Sequence, residues 1–353
     1  MGWHHASQPP DGAPQRSWNT GNPARAARQG PGVQATLAAG GDRPRGLDLR
    51  RRRAQTAGME EVAKGNTGTG AVTRRTALAA LAALALAGRV RALGQGGFRL
   101  GLTPVFLDND WQLLDLLRAH LREAAGLDLG FVQRRTYKEV VALLLVGEIE
   151  AAWLCGWPLL QHPGRLAALA LPVWQGAPLY RSYLIVPEDR AAEGLADLRG
   201  DIHAYSDPDS NSGYLVTVSE LIGMGARPEA FFERSFFTFG HRNVVRAVAR
   251  RLALSGSVDG YVYEALAAAE PELVARTRVL WRSEWFGFPP IAVQTAATDA
   301  PAVRAFAAAL FGMGATAPGR QALRLLQFDG FAPPEAGAFD GIAARMARLA
   351  DRG

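Results

Sequence analysis

From Phe98 onward, short apolar runs alternate with apolar residues spaced three and four apart, the pattern of strands followed by helices. "FRLGLTPVF" reads as a strand ending in a polar turn. "WQLLDLLRAHLREAAG" carries apolar residues at 111, 113, 114, 116, 117 and 121 and predicts an amphipathic helix stopped by Gly126. "LDLGFVQ" predicts a second strand, "YKEVVALLLVGE" a second helix and "EAAWLCG" a third strand. This β-α-β-α-β order implies a mostly parallel sheet, with ligand groups at the carboxyl ends of its strands. "LALPVWQG" and "LYRSYLIVP" add two more strands.

A second alternating series begins near Asp197. It predicts strands over 202–205, 235–238, 258–261 and 277–282, and helices over 213–225, 242–253 and 262–269. After the Pro-rich break at Phe288–Pro290 come helices near 301–314, 318–326 and 337–350. No internal repeat relates the two series. The expected architecture is α/β with two lobes: lobe 1 from 98–184 plus 286–353, lobe 2 from 185–285, two strands crossing between them, and a ligand cleft where they meet.

The first 92 residues follow neither pattern. Residues 1–58 are rich in Pro, Gly, Ala, Gln and Arg and bury too little apolar surface to offset ordering entropy, so they read as a disordered extension or a mis-assigned start before Met59. Their nine Arg and three Asp equal the +6 of the whole chain, so the remainder sums to zero and the basic balance gives no argument for nucleic acid. "TRRTALAALAALALAG" (73–88) places a twin Arg before an apolar run shorter than the about 20 residues that span a bilayer. Residues 59–92 therefore read as an export signal, with the twin Arg loosely matching the twin-arginine route and cleavage options near Ala85, Ala87 and Ala92. An uncleaved membrane tether is the alternative. The expected location is the periplasm. With one cysteine, Cys155, no disulfide framework exists, and stability must come from a hydrophobic core.

The stretch "AYSDPDSNSGYL" (204–215) raises the question of function. A strand breaks into small polar residues, and a helix follows. Ser, Asn and Asp are the preferred caps and turn formers, so a plain N-cap accounts for them. The same residues at a helix start, with unpaired N–H groups and a partial positive end, also suit an anion. Spacing alone leaves both readings open.

The ordered segments "YKEVVALLLVGEIEAAWLCG", "LYRSYLIV", "DPDSNSGYLV", "FFTFGHRNVVRAVA" and "GSVDGYVYE" resemble the exported substrate-binding proteins of phosphate, phosphite and phosphonate ABC transporters, over about residues 98–345. The resemblance implies a type II periplasmic binding protein, a clamshell that closes on a tetrahedral oxyanion and carries out no bond chemistry. It implies a monomer that delivers its ligand to an ABC permease. Arsenite-binding partners of sensor kinases also belong to this group, so a sensory role on a histidine kinase is an alternative. The family loop usually reads Ser-Thr-Ser-Gly, where this chain has Ser210, Asn211, Ser212 and Gly213. His241 matches a His at the start of a later helix, but Arg242 and Asn243 stand where an acidic residue often follows, which leaves the ligand open.

Each candidate has a structural reading beside the functional one. Gly213 would let a ligand approach the backbone, or simply serve the helix start. His241 would donate to an oxyanion and change charge near neutral pH, or be a polar first-turn residue. Asp259 would accept from a protonated oxyanion and reject the fully ionised form, or cap the next helix. Tyr137, Tyr180 and Tyr261 would wall the site and offer hydroxyls, or pack in the core. Cys155 would be a soft ligand for As(III), or a small buried hydrophobe. No metal-ligand spacing, phosphate-binding loop or nucleophile elbow is present, so no cofactor or metal is expected. A hydrolase using a Ser from 210–212 with His241 is the rival class.

Overall fold

A computed structural model describes residues 97–103 and 111–351, all within one compact unit of the chain. The readings made for residues 1–92, including the export signal, lie outside the described residues. Among the described residues no helix is long and apolar enough to cross a membrane.

Two sheets organise the molecule. The first has six strands in the order β13-β4-β12-β3-β1-β2, built from β1 (Phe98–Leu102), β2 (Leu129–Gln133), β3 (Ala151–Trp153), β4 (Leu166–Val173), β12 (Ile291–Gln294) and β13 (Gly330–Ala332). β1 pairs parallel with β2 and β3, as the alternation predicts. β12 inserts antiparallel between β3 and β4, so the sheet is mixed rather than parallel throughout. This insertion cannot be inferred from local periodicity, because β12 comes from a segment more than 100 residues later.

The second sheet has five strands in the order β10-β6-β9-β7-β8: β6 (Ser182–Pro187), β7 (Ile202–Tyr205), β8 (Arg234–Phe237), β9 (Ser255–Asp259) and β10 (Thr277–Arg282). β7 matches its predicted span, whereas β9 begins three residues before the expected strand and stops at Asp259. Between the sheets, β5 (Leu179–Tyr180) pairs antiparallel with β11 (Phe286–Gly287), Phe286 opposite Tyr180. These are the two crossings. β6 pairs with the second sheet from Ser182 onward, so the outgoing crossing falls at Arg181, slightly ahead of the expected 184/185 boundary. Ser182 N–H donates to Ser283 Oγ and Ser283 N–H to the Ser182 carbonyl, both at 2.9 Å, which ties the outgoing and returning strands together.

Helices cover both faces of each sheet, and the central strands are buried on both sides. On the first sheet, α1 (Trp111–Ala125), α9 (Pro301–Phe311) and α10 (Ala317–Leu326) bury Leu113, Leu117, Leu121, Phe306, Leu310 and Leu326. The opposite face holds α2 (Tyr137–Val146), with Val140, Val141 and Leu144. On the second sheet, α6 (His241–Ala249) and α7 (Gly260–Ala269) pack on one face. α4 (Val216–Gly223) and α5 (Pro228–Phe231) pack on the other. The short α3 (Gly156–Leu160) follows β3, α8 (Pro271–Val274) precedes β10, and α11 (Asp340–Ala350) ends the described chain.

Candidate functional site

The polar candidates come from strand ends and helix starts, and local chemistry fixes each one. Tyr137 is the first residue of α2. A capping box sets it there: Thr136 Oγ1 accepts from Glu139 N–H at 3.2 Å, and the Glu139 carboxylate accepts from Thr136 N–H at 3.0 Å. Gly147, at φ +76°, ends the helix in the left-handed region that suits glycine. Cys155 stands just past β3 at the cap of α3. Asp259 ends β9 and caps α7, its Oδ1 accepting from Val262 N–H at 3.2 Å.

The stretch 204–215 folds as β7, a polar turn, and a wide helical turn over Asn211–Leu215 that continues into α4. Leu215 N–H donates to the Ser210 carbonyl five residues back, the geometry of a π turn, which is rare and frequent at functional sites. Ser210 is the N-cap, its Oγ accepting from Gly213 N–H at 3.0 Å. The capping reading therefore holds for Ser210, and its hydroxyl lone pair is committed to the helix.

Gly213 is explained by packing rather than by ligand approach. A Cβ there would collide with the Ser206 hydroxyl and stand 3.0 Å from His241 Cε1. Its missing side chain makes room for Ser206, so a β-branched replacement would displace the loop itself.

Around this turn the two sheets close on one another. Asn211 N–H donates to Cys155 Sγ at 3.2 Å, and Asn211 Nδ2 donates to Tyr180 Oη at 3.0 Å. Tyr137 N–H donates to Asp207 Oδ2 at 3.3 Å. The rings of Trp157 and Tyr214 stack with centroids 6.0 Å apart. Ser182 Oγ donates to the Ser212 carbonyl at 2.6 Å. On the far side, Asp259 N–H donates to His241 Nδ1 at 3.0 Å, so the imidazole proton resides on Nε2.

Four buried side-chain oxygens in this cluster have no hydrogen-bond partner within the protein: Tyr137 Oη, Ser206 Oγ, Asn211 Oδ1 and Asp259 Oδ2. Buried polar groups are nearly always paired, because leaving one unpaired costs about 1–3 kcal/mol. Four orphans on residues linked to one another mark a place built for something else to complete. Ser206 and Asp207 belong to it, although the sequence reading passed over them as turn residues. Their position at the carboxyl end of β7 was the available indication.

Electrostatics sharpen the picture. Burial raises the Asp259 carboxyl to about 7, and burial likewise raises Asp207 to about 6. Among the described residues neither carboxylate has a Lys or Arg ion-pair partner. Burial, followed by the nearby Cys155, Asp207, Asp259 and Tyr180, pushes Tyr137 well up, so it remains a hydroxyl donor. Tyr180 is raised for the same leading reason. Burial lowers His241 to about 3. The expected change of charge near neutral pH is corrected accordingly: the ring is neutral there, and its Nε2–H is a fixed donor.

Cys155 is a thiol, not a thiolate, at neutral pH, since burial raises it to about 11. Tyr261 leaves the donor set. Its hydroxyl donates to the Leu326 carbonyl at 2.9 Å, and its ring packs among Trp174, Phe288 and Phe328. Among the described contacts Ser210 Oγ accepts from Gly213 N–H and His241 Nδ1 from Asp259 N–H, and no hydroxyl of 210–212 bonds to His241. Among the described residues no group of His, Cys, Asp and Glu could hold a metal.

Two α/β lobes joined by two crossing strands, closed over a buried polar cluster, define a type II periplasmic binding protein. The chain matches the family described as ABC transporter, phosphonate, periplasmic substrate-binding protein over residues 100–338, and it belongs to that family. The fold is that of solved members. A binding protein component of an ABC phosphonate transporter from Pseudomonas aeruginosa superimposes with a TM-score of 0.64 at 19% identity, covering 71% of this chain and 86% of that one. PhnD1 from Prochlorococcus marinus, solved with methylphosphonate, gives 0.62 at 15% identity, over 72% and 98%. A Xanthomonas citri protein bound to chloride gives 0.57 at 19%, over 72% and 99%. No curated protein matches this sequence.

Proposed function

We propose that this protein captures a small, singly protonated phosphorus oxyanion, a phosphonate above all, and delivers it to an ABC permease. The observation that carries the reading is the set of four partnerless buried oxygens on Tyr137, Ser206, Asn211 and Asp259. Tyr137 and Ser206 hydroxyls, with His241 Nε2–H and the Ser212 N–H at the helix start, supply donors to P–O groups. Asn211 Oδ1 and Asp259 Oδ2 supply acceptors. A ligand that satisfies both kinds carries oxygens and a remaining P–OH. A fully ionised oxyanion would face the ionised Asp259 carboxylate with nothing to donate. Binding and lobe closure complete the function, with no bond made or broken. Export to the periplasm and action as a monomer accompany this reading.

The soft-ligand alternative loses its support, because As(III) favours thiolate sulfur and Cys155 is held as a buried thiol. The test is calorimetry with methylphosphonate, phosphite and phosphate on the wild type and Tyr137→Phe. The phenol oxygen has no partner in the protein, so its removal leaves the fold intact. Loss of one donor to a charged ligand should weaken the best ligand by about 1.5–3 kcal/mol, roughly tenfold or more. Unchanged affinity, or no binding by the wild type, would sink the proposal.

A further inference from the structure

The terminal helix α11 starts on one lobe and ends on the other. Ile342 is fully buried in the first lobe's core. Its Cδ1 and the Phe339 ring fill the space above Gly156, where a Cβ would stand 2.6 and 2.9 Å from them. Two turns later, Leu349 packs both against that same core and against the second lobe's cluster, which contains Val218 and Leu221.

Between these anchors lies Arg345, only 5% exposed. Its Nη1 is 2.7 Å from Glu220 Oε1 on α4 and donates to the Val216 carbonyl at 3.4 Å. Its Nη2 is 2.6 Å from Glu284 Oε2, and its Nε donates to Glu284 Oε1 at 2.9 Å. Glu284 sits in the returning crossing, next to Trp285, whose ring lies 4.0 Å beneath the Arg181 guanidinium of the outgoing crossing. Three residues on, Arg348 Nη1 donates to Ser219 Oγ at 3.3 Å.

One guanidinium thus joins a helix rooted in lobe 1, the hinge, and the lobe 2 helix that continues the Asn211–Leu215 turn. Only the planar arginine fork reaches two carboxylates and a carbonyl at once. The candidate ligand residues make none of these contacts. For the lobes to part, the bonds from Arg345 to Glu220 and Val216 and from Arg348 to Ser219 must break, while Glu284 keeps the charge paired.

We propose that Arg345 is a positioning residue, a latch that holds the lobes closed and sets how long the ligand stays. The proposal rests on the binding reading above for its kinetic test, and it has a second test that needs no ligand. Glu220→Gln removes the cross-lobe ion pair and leaves Arg345 paired with Glu284, so folding is preserved. Methylphosphonate should dissociate from Glu220→Gln about tenfold faster, with association within about twofold of wild type, since the latch acts after encounter. Arg345→Lys, which keeps the charge without the fork, should move the dissociation rate in the same direction.

The second measurement places spin labels at Val146→Cys and Leu252→Cys, positions 71% and 63% exposed on the two lobes. Cys155, 2% exposed, is shielded from labelling. The interlabel distances in ligand-free protein should lengthen in Glu220→Gln. An unchanged distance distribution, or a dissociation rate within about twofold of wild type, overturns the latch. If none of methylphosphonate, phosphite and phosphate binds the wild type, the proposed function falls, and the distances alone judge the latch.

Discussion

Two histidines in the second lobe are buried to the same degree and held neutral by the same cause, yet they belong to different parts of the molecule's work. Burial lowers both His203 and His241 to about 3. His203 is fully satisfied: Nδ1 and Nε2 each lie 2.8 Å from a hydroxyl, Ser255 and Ser257, and Ser257 Oγ is 2.6 Å from Thr217 Oγ1. Its ring stacks on Phe232 with centroids 4.2 Å apart. His241 has one nitrogen engaged, by Asp259 N–H, and stands beside the orphaned Asp259 Oδ2 and Ser206 Oγ. A perturbed titration therefore does not distinguish a site from a core. The completeness of the hydrogen bonding does.

The contrast is open to direct attack. The largest effect is expected at His203. His203→Ala removes two buried hydrogen bonds, leaves the Ser255 hydroxyl unpaired and opens a cavity, so urea unfolding should show a loss of roughly 3 kcal/mol or more. Calorimetry on the folded fraction should show unaltered oxyanion affinity. His241→Ala should do the reverse, losing affinity by roughly tenfold with a smaller stability change. If His203→Ala weakens binding while sparing stability, the comparison is broken.

A middle-sized effect follows from Asp259. Its folded carboxyl titrates near 7, above the ordinary value of 3.8, because burial penalises the charge. The folded state then holds a proton that the unfolded state has lost between those values. The Asp259 contribution to ligand-free stability should accordingly fall as pH rises from about 4 to about 7, in the same sense as Asp207, raised to about 6, and against His203 and His241, each lowered from 6.5 to about 3. Asp259→Asn keeps the helix cap and removes the ionisation, so across that window the variant should gain thermal stability relative to wild type as pH rises, and its pH 7 melting temperature should be the higher. A slope identical to wild type would show that Asp259 titrates normally.

The smallest effect belongs to Cys155→Ser. The thiol accepts the Asn211 N–H, and a hydroxyl can do the same. Methylphosphonate affinity should change by about 0.5 kcal/mol, near twofold. Arsenite should give no heat with either protein. Arsenite binding to wild type alone would restore the soft-ligand reading and remove Cys155 from the packing class.

Much of the fold was legible from the chain because its periodicities are local. The spans 111–125, 202–205 and 277–282 emerge where the apolar spacing puts them. Strand β9 was misplaced because "SGSVD" is small and polar, its burial arising from β6 and β7 on either side. Of the site, Tyr137, Asn211, His241 and Asp259 stood out as polar residues at helix starts. Ser206 did not, because nothing local distinguishes a serine that orphans its hydroxyl from one that closes a turn. Gly213 suggested ligand approach, and the neighbour that needs its missing side chain is Ser206, seven residues earlier. Tyr261 looked like its neighbours until its hydroxyl met the carbonyl of Leu326.

By itself, the sequence determined the alternation of strands and helices, the two successive α/β series, the candidate caps at Ser210 and Asp259, and the family likeness. These depend on residues within a turn or two of one another, where side-chain period and capping chemistry act without the rest of the chain. Only the tertiary structure decided that β12 splits the first sheet, that Tyr137 meets Asp207, that Arg345 joins Glu220 to Glu284, and that four buried oxygens share one place without partners. Each of those facts joins residues about 60 or more positions apart, at least in part. Whether a polar atom is satisfied is a property of everything packed around it, and local spacing carries no record of that.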